Sequence, residues 1–231
     1  MMIDSVLRVA WKRIPESRKS VIKRYLTVVG ADHRKSMVRN VLTSVGYDYT
    51  HWARVVMYRE CFRLIEDLGP EKLDVLEISA GDTFKKFHFK SYAEANFPHF
   101  DICTTALPGP YDLIIADQVF EHVLWPYRAG RNVFAMLKPR GHFLITTPFL
   151  IRVHLVPHDC TRWTETGMRY FLAECGFPLA DTKTGSWGSR ACVWANFRDW
   201  AHRGWRSLRN ETEFPVVVWG LATRPSDAPH P

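Results

Sequence analysis

The sequence predicts an α/β protein built on a doubly wound, mostly parallel sheet, and three observations carry that expectation. Short strand-like runs alternate with stretches whose apolar positions recur at helical spacing, the signature of right-handed βαβ crossovers. The two strongest runs, Leu73-Asp74-Val75-Leu76-Glu77-Ile78 and Tyr111-Asp112-Leu113-Ile114-Ile115-Ala116, end in small or polar residues, where a buried parallel strand hands the chain to a turn. Finally, 231 residues suffice for one such domain with an extension, and a core of that size forms without metal or disulfide staples.

Taken in order, residues 1–46 read as a helical extension, with Val6, Leu7, Val9 and Ile14 beside Arg8, Lys12 and Arg13, then Val21, Ile22 and Val28 among Lys23 and Arg24. From 50 to 68 the positions Trp52, Val55, Val56, Phe62, Ile65 and Leu68 predict a helix, capped by Asp48 or Thr50 and stopped by Gly69-Pro70. Strands follow at 73–78, 91–95 and 111–116, a helix at about 119–137, and a strand at 142–147 after the turn Lys138-Pro139-Arg140-Gly141. The last third holds a helix over 164–175, a strand near 179–184, an aromatic helix over about 191–208 and a final strand over 215–221. The body is thus 47–223, and 224–231 reads as a frayed tail.

Charge is unevenly placed. Residues 1–39 hold ten Lys/Arg and three acids, a net of +7 that equals the formal net charge of the whole chain, so the body is neutral. That argues against a nucleic-acid groove through the main domain and leaves the arm for any anionic partner. Three readings of the arm compete: helices packing on the domain or lidding its site, peripheral contact with an anionic membrane surface, and a nucleic-acid contact. Cys61, Cys103, Cys160, Cys175 and Cys192 show no CxxC pairing or regular spacing, as in a reducing compartment. With no long apolar run and no signal-peptide pattern at the start, the expectation is a soluble, cytoplasmic protein.

Three motifs then recur in a telling order: Val75-Leu76-Glu77-Ile78-Ser79-Ala80-Gly81, then Tyr111-Asp112-Leu113-Ile114-Ile115-Ala116-Asp117-Gln118-Val119-Phe120-Glu121-His122-Val123, then Leu137-Lys138-Pro139-Arg140-Gly141. Together they resemble the class I S-adenosylmethionine-dependent methyltransferases, over about residues 73–177. The segment Pro157-His158-Asp159-Cys160-Thr161-Arg162-Trp163-Thr164 is similar to a P-H-D-Y-Y-R-Y-T stretch in a bacterial subgroup of that family, many of whose members act in polysaccharide and natural-product pathways. The resemblance implies a seven-stranded Rossmann-like sheet, S-adenosylmethionine as cofactor with S-adenosylhomocysteine as product, and a small-molecule acceptor, saccharide-containing or a secondary-metabolite intermediate, methylated on oxygen.

The implied cofactor residues are Glu77, Ser79, Ala80 and Gly81 at the first turn, Glu94 and Asn96 at the end of the second strand, and Asp117 and Gln118 past the fourth. Small residues at Ala80 and Gly81 allow a ligand to approach backbone N–H groups. Glu77 either accepts from the methionyl ammonium or is a strand-end acid held by turn amides. The family's E-x-G-x-G-x-G becomes Glu77-Ile78-Ser79-Ala80-Gly81-Asp82-Thr83, keeping only the middle glycine. Asn96 stands where an acid normally grips the ribose hydroxyls, with Glu94 two residues before it; an amide offers one neutral accepting oxygen.

Methyl transfer from a sulfonium rests on alignment, with a base needed where the acceptor keeps its proton. The loop over 148–163 carries His158 as candidate base, Asp159 as orienter or substrate contact, and His154; the competing reading has Asp159 pinning the loop through Arg162. His122 is either catalytic or a packing residue, and Glu121 complements a helix dipole. His154, His158, Asp159 and Cys160 are close enough in sequence to suggest zinc, but no CxxC or HExxH frame supports them and no metal is expected. The absence of a GxSxG elbow or Walker loop disfavours a hydrolase or P-loop NTPase. Two rival functions are a methyltransferase-like scaffold that has lost catalysis, and an RNA methyltransferase using the basic arm.

Overall fold

The computed structural model describes residues 12–20, 31–155 and 157–226; most of the expected arm helices and the end of the tail lie outside the described residues. What is described falls into two compact units, divided at Trp52/Ala53, Ala201/His202 and Ser207/Leu208. The smaller contains helix α1 (Ala31–Ser44) and strand β1 (Asp48–His51), paired antiparallel with β7 (His202–Gly204). Leu42 and Tyr47 form its small core with Val38, Tyr49 and Trp205. Tyr47 meets Trp205 edge-on at 5.1 Å between centroids, and the indole donates to the Val45 carbonyl at 3.1 Å. Gly204 is required here: it has φ +56°, and a Cβ would come within 2.8 Å of the Tyr47 ring.

In the larger unit α2 (Val55–Leu68) begins later than the periodicity predicts. Asp48 accepts from the Thr50 amide at 2.8 Å, closing a turn within β1 and capping no helix. At its other end α2 stops where expected, on Gly69 with φ +72°. There follow β2 (Asp74–Ile78), β3 (Ser91–Ala95), β4 (Tyr111–Asp117), α3 (Pro126–Met136), β5 (Leu137–Pro148), α4 (Glu165–Glu174), β6 (Thr182–Trp187), α5 (Arg190–Arg198) and β8 (Val217–Thr223). Thr164 caps α4 by accepting from the Gly167 amide at 3.1 Å.

The main sheet has the order β3-β2-β4-β5-β8-β6, parallel from β3 to β5 with β8 running antiparallel to both its neighbours. Among the described residues six strands form it, one fewer than the family pattern implies. Between Ala95 and Tyr111 the chain spends its backbone groups on a turn around Asp101, whose carboxylate accepts from Cys103 N–H and whose carbonyl accepts from Thr104 N–H, and then meets Pro108 and Pro110. That leaves too little chain for a crossover and another parallel strand.

Two expected helices are shorter. The stretch from 119 opens as a 3-10 turn, Phe120–His122, and α3 starts only at Pro126, whose fixed φ and missing N–H suit a first helical position. The aromatic helix ends at Arg198, after which the chain enters β7. The tail also begins later than expected: Arg224 is wholly buried, and its guanidinium donates to the carbonyls of Phe134 and Leu137. Among the described residues no helix is long and apolar enough to cross a membrane.

Val75, Leu113, Ile114, Ile115 and Ala116 are completely buried, so these strands are covered on both faces, which is why they read as continuous apolar runs. At their amino ends, Lys138 from the L-K-P turn bridges Asp74 at 2.8 Å and Asp112 at 2.7 Å, while Asp112 also accepts from the Asp74 amide. Three strands are thereby tied at one edge. Lys138, Lys90 and Ser91 hold the Asp74 carboxyl well below the usual carboxylate range. A depressed carboxyl contributes stability above its unfolded pKa of about 3.9 and loses it as pH falls below that value. Lys138→Met is therefore expected to lower the urea midpoint at pH 7 and to flatten the wild-type decline below about pH 4, read from urea melts across that range.

Candidate active site

Sheet order reverses between β2 and β4: β3 lies beyond β2 on one side, and β4 and β5 continue on the other. Crossovers leaving in opposite directions open a crevice above the carboxyl ends of the strands. A cavity of about 500 Å³ lies there, within the range of small-molecule sites. One wall is Ile78 and Ser79 after β2; another is Phe97 and the segment Phe100 to Thr104 after β3; a third is Asp117, Gln118 and Val119 after β4. Val123, Trp125 and Arg128 close one side, and His122 with Pro157 and His158 the other.

Two non-glycine residues at the cavity hold left-handed backbone, Ser79 with φ +53° and Gln118 with φ +57°. Such residues turn the chain sharply off a strand at some cost in strain. Gln118 is held there by Thr146, whose carbonyl accepts from its amide at 3.0 Å and whose hydroxyl lies 3.1 Å from both the amide and Nε2. Asp117 is clamped between the Tyr58 hydroxyl at 2.8 Å and the Thr146 hydroxyl at 2.5 Å. Burial and the Asp117 charge push the Tyr58 phenol well up, so it stays a donor.

The first turn differs from its expected form. Glu77 is 1% exposed and does not reach the cavity; one carboxylate oxygen accepts from Gly81 N–H at 3.1 Å and the other from the Tyr92 hydroxyl. Burial raises its pKa, partly offset by these two bonds. Nor are the amides bare: Ser79 N–H donates to the Ala95 carbonyl, and Ala80 N–H to Asn96 Oδ1, both at 2.8 Å. Asn96 thus spends its one accepting oxygen on the turn, and Glu94 pairs with Lys85 at 3.0 Å; neither lines the cavity. Gly81 keeps open space beside it, with nothing within 4 Å of where a Cβ would stand. Ser79, Asp117 and Gln118 stand at the cavity as expected.

On the opposite side, His122 and His158 come together: the His122 ring Nδ1 bonds the His158 carbonyl. Asp159 does not orient His158. Its carboxylate is locked to Arg162 through both guanidinium nitrogens and accepts from His154 N–H at 2.8 Å, as the loop-pinning reading had it. Burial would raise the Asp159 pKa, but Arg162 and the His154 amide bring it below the usual range. Glu121, read from sequence as a helix-dipole residue, is fully buried, and burial pushes its pKa up to about 8. The segment from Phe100 to Thr104, with Trp125 and Arg128, was invisible to motif reading; its one signal is its place directly after a strand's carboxyl end.

An open sheet with a cavity at its switch point, walled by aromatic and aliphatic side chains and a few acids, defines a Rossmann-like domain for a nucleoside-bearing ligand. The chain belongs to the methyltransferase domain family, whose model matches residues 29–211. It shares its fold with the N-methyltransferase NodS from Bradyrhizobium japonicum in complex with S-adenosylhomocysteine, at 16% identity and TM-score 0.52 over 76% of this chain and 89% of that one. The [4+2]-cyclase SpnF matches at 14% identity and TM-score 0.50 over 78% and 86%. A Haemonchus contortus phosphoethanolamine N-methyltransferase 2 matches at 12% and TM-score 0.47, where the chain spans 53% of that protein's length. No curated protein sequence matches the chain.

Because the turn consumes Glu77 internally, Glu77→Ala is expected to cost about 2 kcal/mol of unfolding free energy, and Tyr92→Phe about 1 kcal/mol. Urea melts measure both; a Glu77 that instead gripped ligand would leave stability unchanged.

Proposed function

We propose that the cavity takes the adenosyl part of S-adenosylmethionine and that the chain methylates a hydroxyl of a small acceptor, a saccharide or secondary-metabolite intermediate. The observation that carries this reading is the cavity at the switch point, lined by two histidines together with aromatic and aliphatic side chains. Phe97, Phe100, Ile102 and Val119 suit an adenine face, and the held carboxylate of Asp117 suits the polar end of the cofactor. The space beside Gly81 suits the methionyl part. Bound there, the cofactor supplies an electrophilic methyl group.

The protein's own contribution is alignment, exclusion of water by the apolar wall, and a proton acceptor. His158 fills that last role: its imidazole is exposed at the cavity, and its carbonyl is fixed by His122. The choice of oxygen over nitrogen rests on this histidine side and on the loop's similarity to a polysaccharide-associated subgroup. Asp159 and Arg162 serve to hold the loop.

A second reading has a specific observation behind it: the amides of Ser79, Ala80 and Gly81 are all satisfied internally, as in a scaffold that no longer cradles a ligand. Calorimetry separates the two. Binding of S-adenosylmethionine or S-adenosylhomocysteine near micromolar, about −8 kcal/mol, is expected; none at millimolar ligand overturns the enzymatic reading. With methyl-labelled cofactor and saccharide acceptors, His158→Ala is expected to lower turnover on the order of 100-fold while leaving cofactor affinity unchanged.

A further inference from the structure

Glu121, His122 and His154 bring one ligand atom each to within 4.8 Å of one another, beside the cavity and outside the turn that would hold the cofactor. Glu121 is 0% exposed, and no hydrogen bond reaches either of its carboxylate oxygens among the described residues. What faces it is imidazole nitrogen: His122 Nε2 lies 3.5 Å and His154 Nε2 4.0 Å from Oε1. A buried carboxylate with no partner is costly, so the group either keeps its proton or takes a cation beside it.

Tautomers decide what kind of occupant. His122 Nδ1 faces a carbonyl oxygen, that of His158, which cannot donate, so the ring proton sits on Nδ1 and Nε2 presents a lone pair toward Glu121. His154 Nδ1 lies 3.3 Å from the Asp159 carboxylate without forming a hydrogen bond, and that nearby negative charge favours the proton on Nδ1, which again leaves Nε2 as a lone pair. Three acceptors therefore converge on one point. A metal cation satisfies all three at once, which a single shared proton does not. Outer oxygens that fix the imidazole tautomer are also what metal-binding histidines regularly have.

We propose that Glu121, His122 and His154 form a binding site for a divalent first-row transition metal, of the class that two imidazoles and a carboxylate select, such as zinc, cobalt, manganese or iron. The zinc grouping weighed from sequence, His154 with His158, Asp159 and Cys160, differs: Asp159 is committed to Arg162, His158 contributes its carbonyl to His122, and only His154 is common to both sets. Since His122 also lines the cavity, a cation held here lies at the acceptor side and would take an oxygen of the acceptor as a further ligand. That last clause rests on the proposed hydroxyl methylation; the site itself does not.

The test uses untagged full-length protein, stripped with a chelator and titrated with Co²⁺. The expected result is one equivalent bound, with visible absorption bands of nitrogen- and oxygen-ligated cobalt and displacement by Zn²⁺. Glu121→Gln and His154→Ala are each expected to weaken Co²⁺ binding at least about 10-fold, with S-adenosylhomocysteine affinity, measured on the same preparations, retained as the sign of an intact fold. Cobalt that fails to bind, or binds equally well to both folded variants, overturns the proposal and leaves a proton as the shared cation. Cofactor binding without cobalt binding sinks the metal site alone; cobalt binding without cofactor binding sinks the proposed function alone.

Discussion

The constraint on which the site depends is that β2 and β4 lie side by side and parallel yet must send the chain away in different directions. Their backbones cannot both continue over the same ground, so a crevice opens where they end. The two bends that open it are made by Ser79 and Gln118, side-chain-bearing residues in left-handed conformation where glycine is the undemanding choice. Each bend is over-determined. Thr146, at the matching level of β5, grips both Gln118 and Asp117; Asn96, just past the end of β3, grips Ala80. Neighbouring strands thus supply the restraint that makes the bends affordable.

The same logic accounts for the degenerate glycine motif. With glycines at every other position, the turn after β2 would have free backbone and free amides. Here the side chains of Glu77 and Asn96 take up the amides of Gly81 and Ala80. The turn is stabilised from inside the protein, and most of the polar residues that line the cavity, Asp101, Thr104, Asp117, Gln118, Arg128 and the two histidines, lie outside it.

How much of this was legible in the sequence follows the range of the interactions concerned. Strand and helix periodicity is local, and the succession of β2, β3, β4 and β5, with α3 between the last two, was readable because it needs only the pattern along the chain. Stops such as Gly69 were readable for the same reason, whereas the cap expected at Asp48 or Thr50 forms a turn within β1 instead. What was not readable depends on partners far along the chain: Asp112 and Asp74 meet through Lys138, Asn96 turns toward Ala80, and Glu77 is claimed by Tyr92. Residue types allowed several roles in each case, and only the fold decides which neighbour arrives. The missing seventh strand was lost to a different cause, since family pattern stood in for the proline-rich chain between β3 and β4.

The least legible feature is also the most connected. The loop after β5 does not hang over the sheet as a free segment but is folded onto the 3-10 turn after β4. The amides of Cys160 and Thr161 both donate to the Glu121 carbonyl, at 2.7 and 3.3 Å, and the His158 carbonyl engages the His122 ring. Asp159, locked by Arg162, holds the His154 amide and so sets that ring edge-on to His122, 4.9 Å between centroids. Glu121 therefore acts twice, with its backbone as the loop's anchor and its side chain as the buried carboxyl the loop covers. In sequence Glu121 and His154 belong to separate motifs, one a helix start and the other an unstructured loop. In the fold they come together, and because the bonds from His154 N–H to Asp159 and from the His122 ring to the His158 carbonyl both close the loop and place a histidine, the loop cannot loosen without dispersing the cluster.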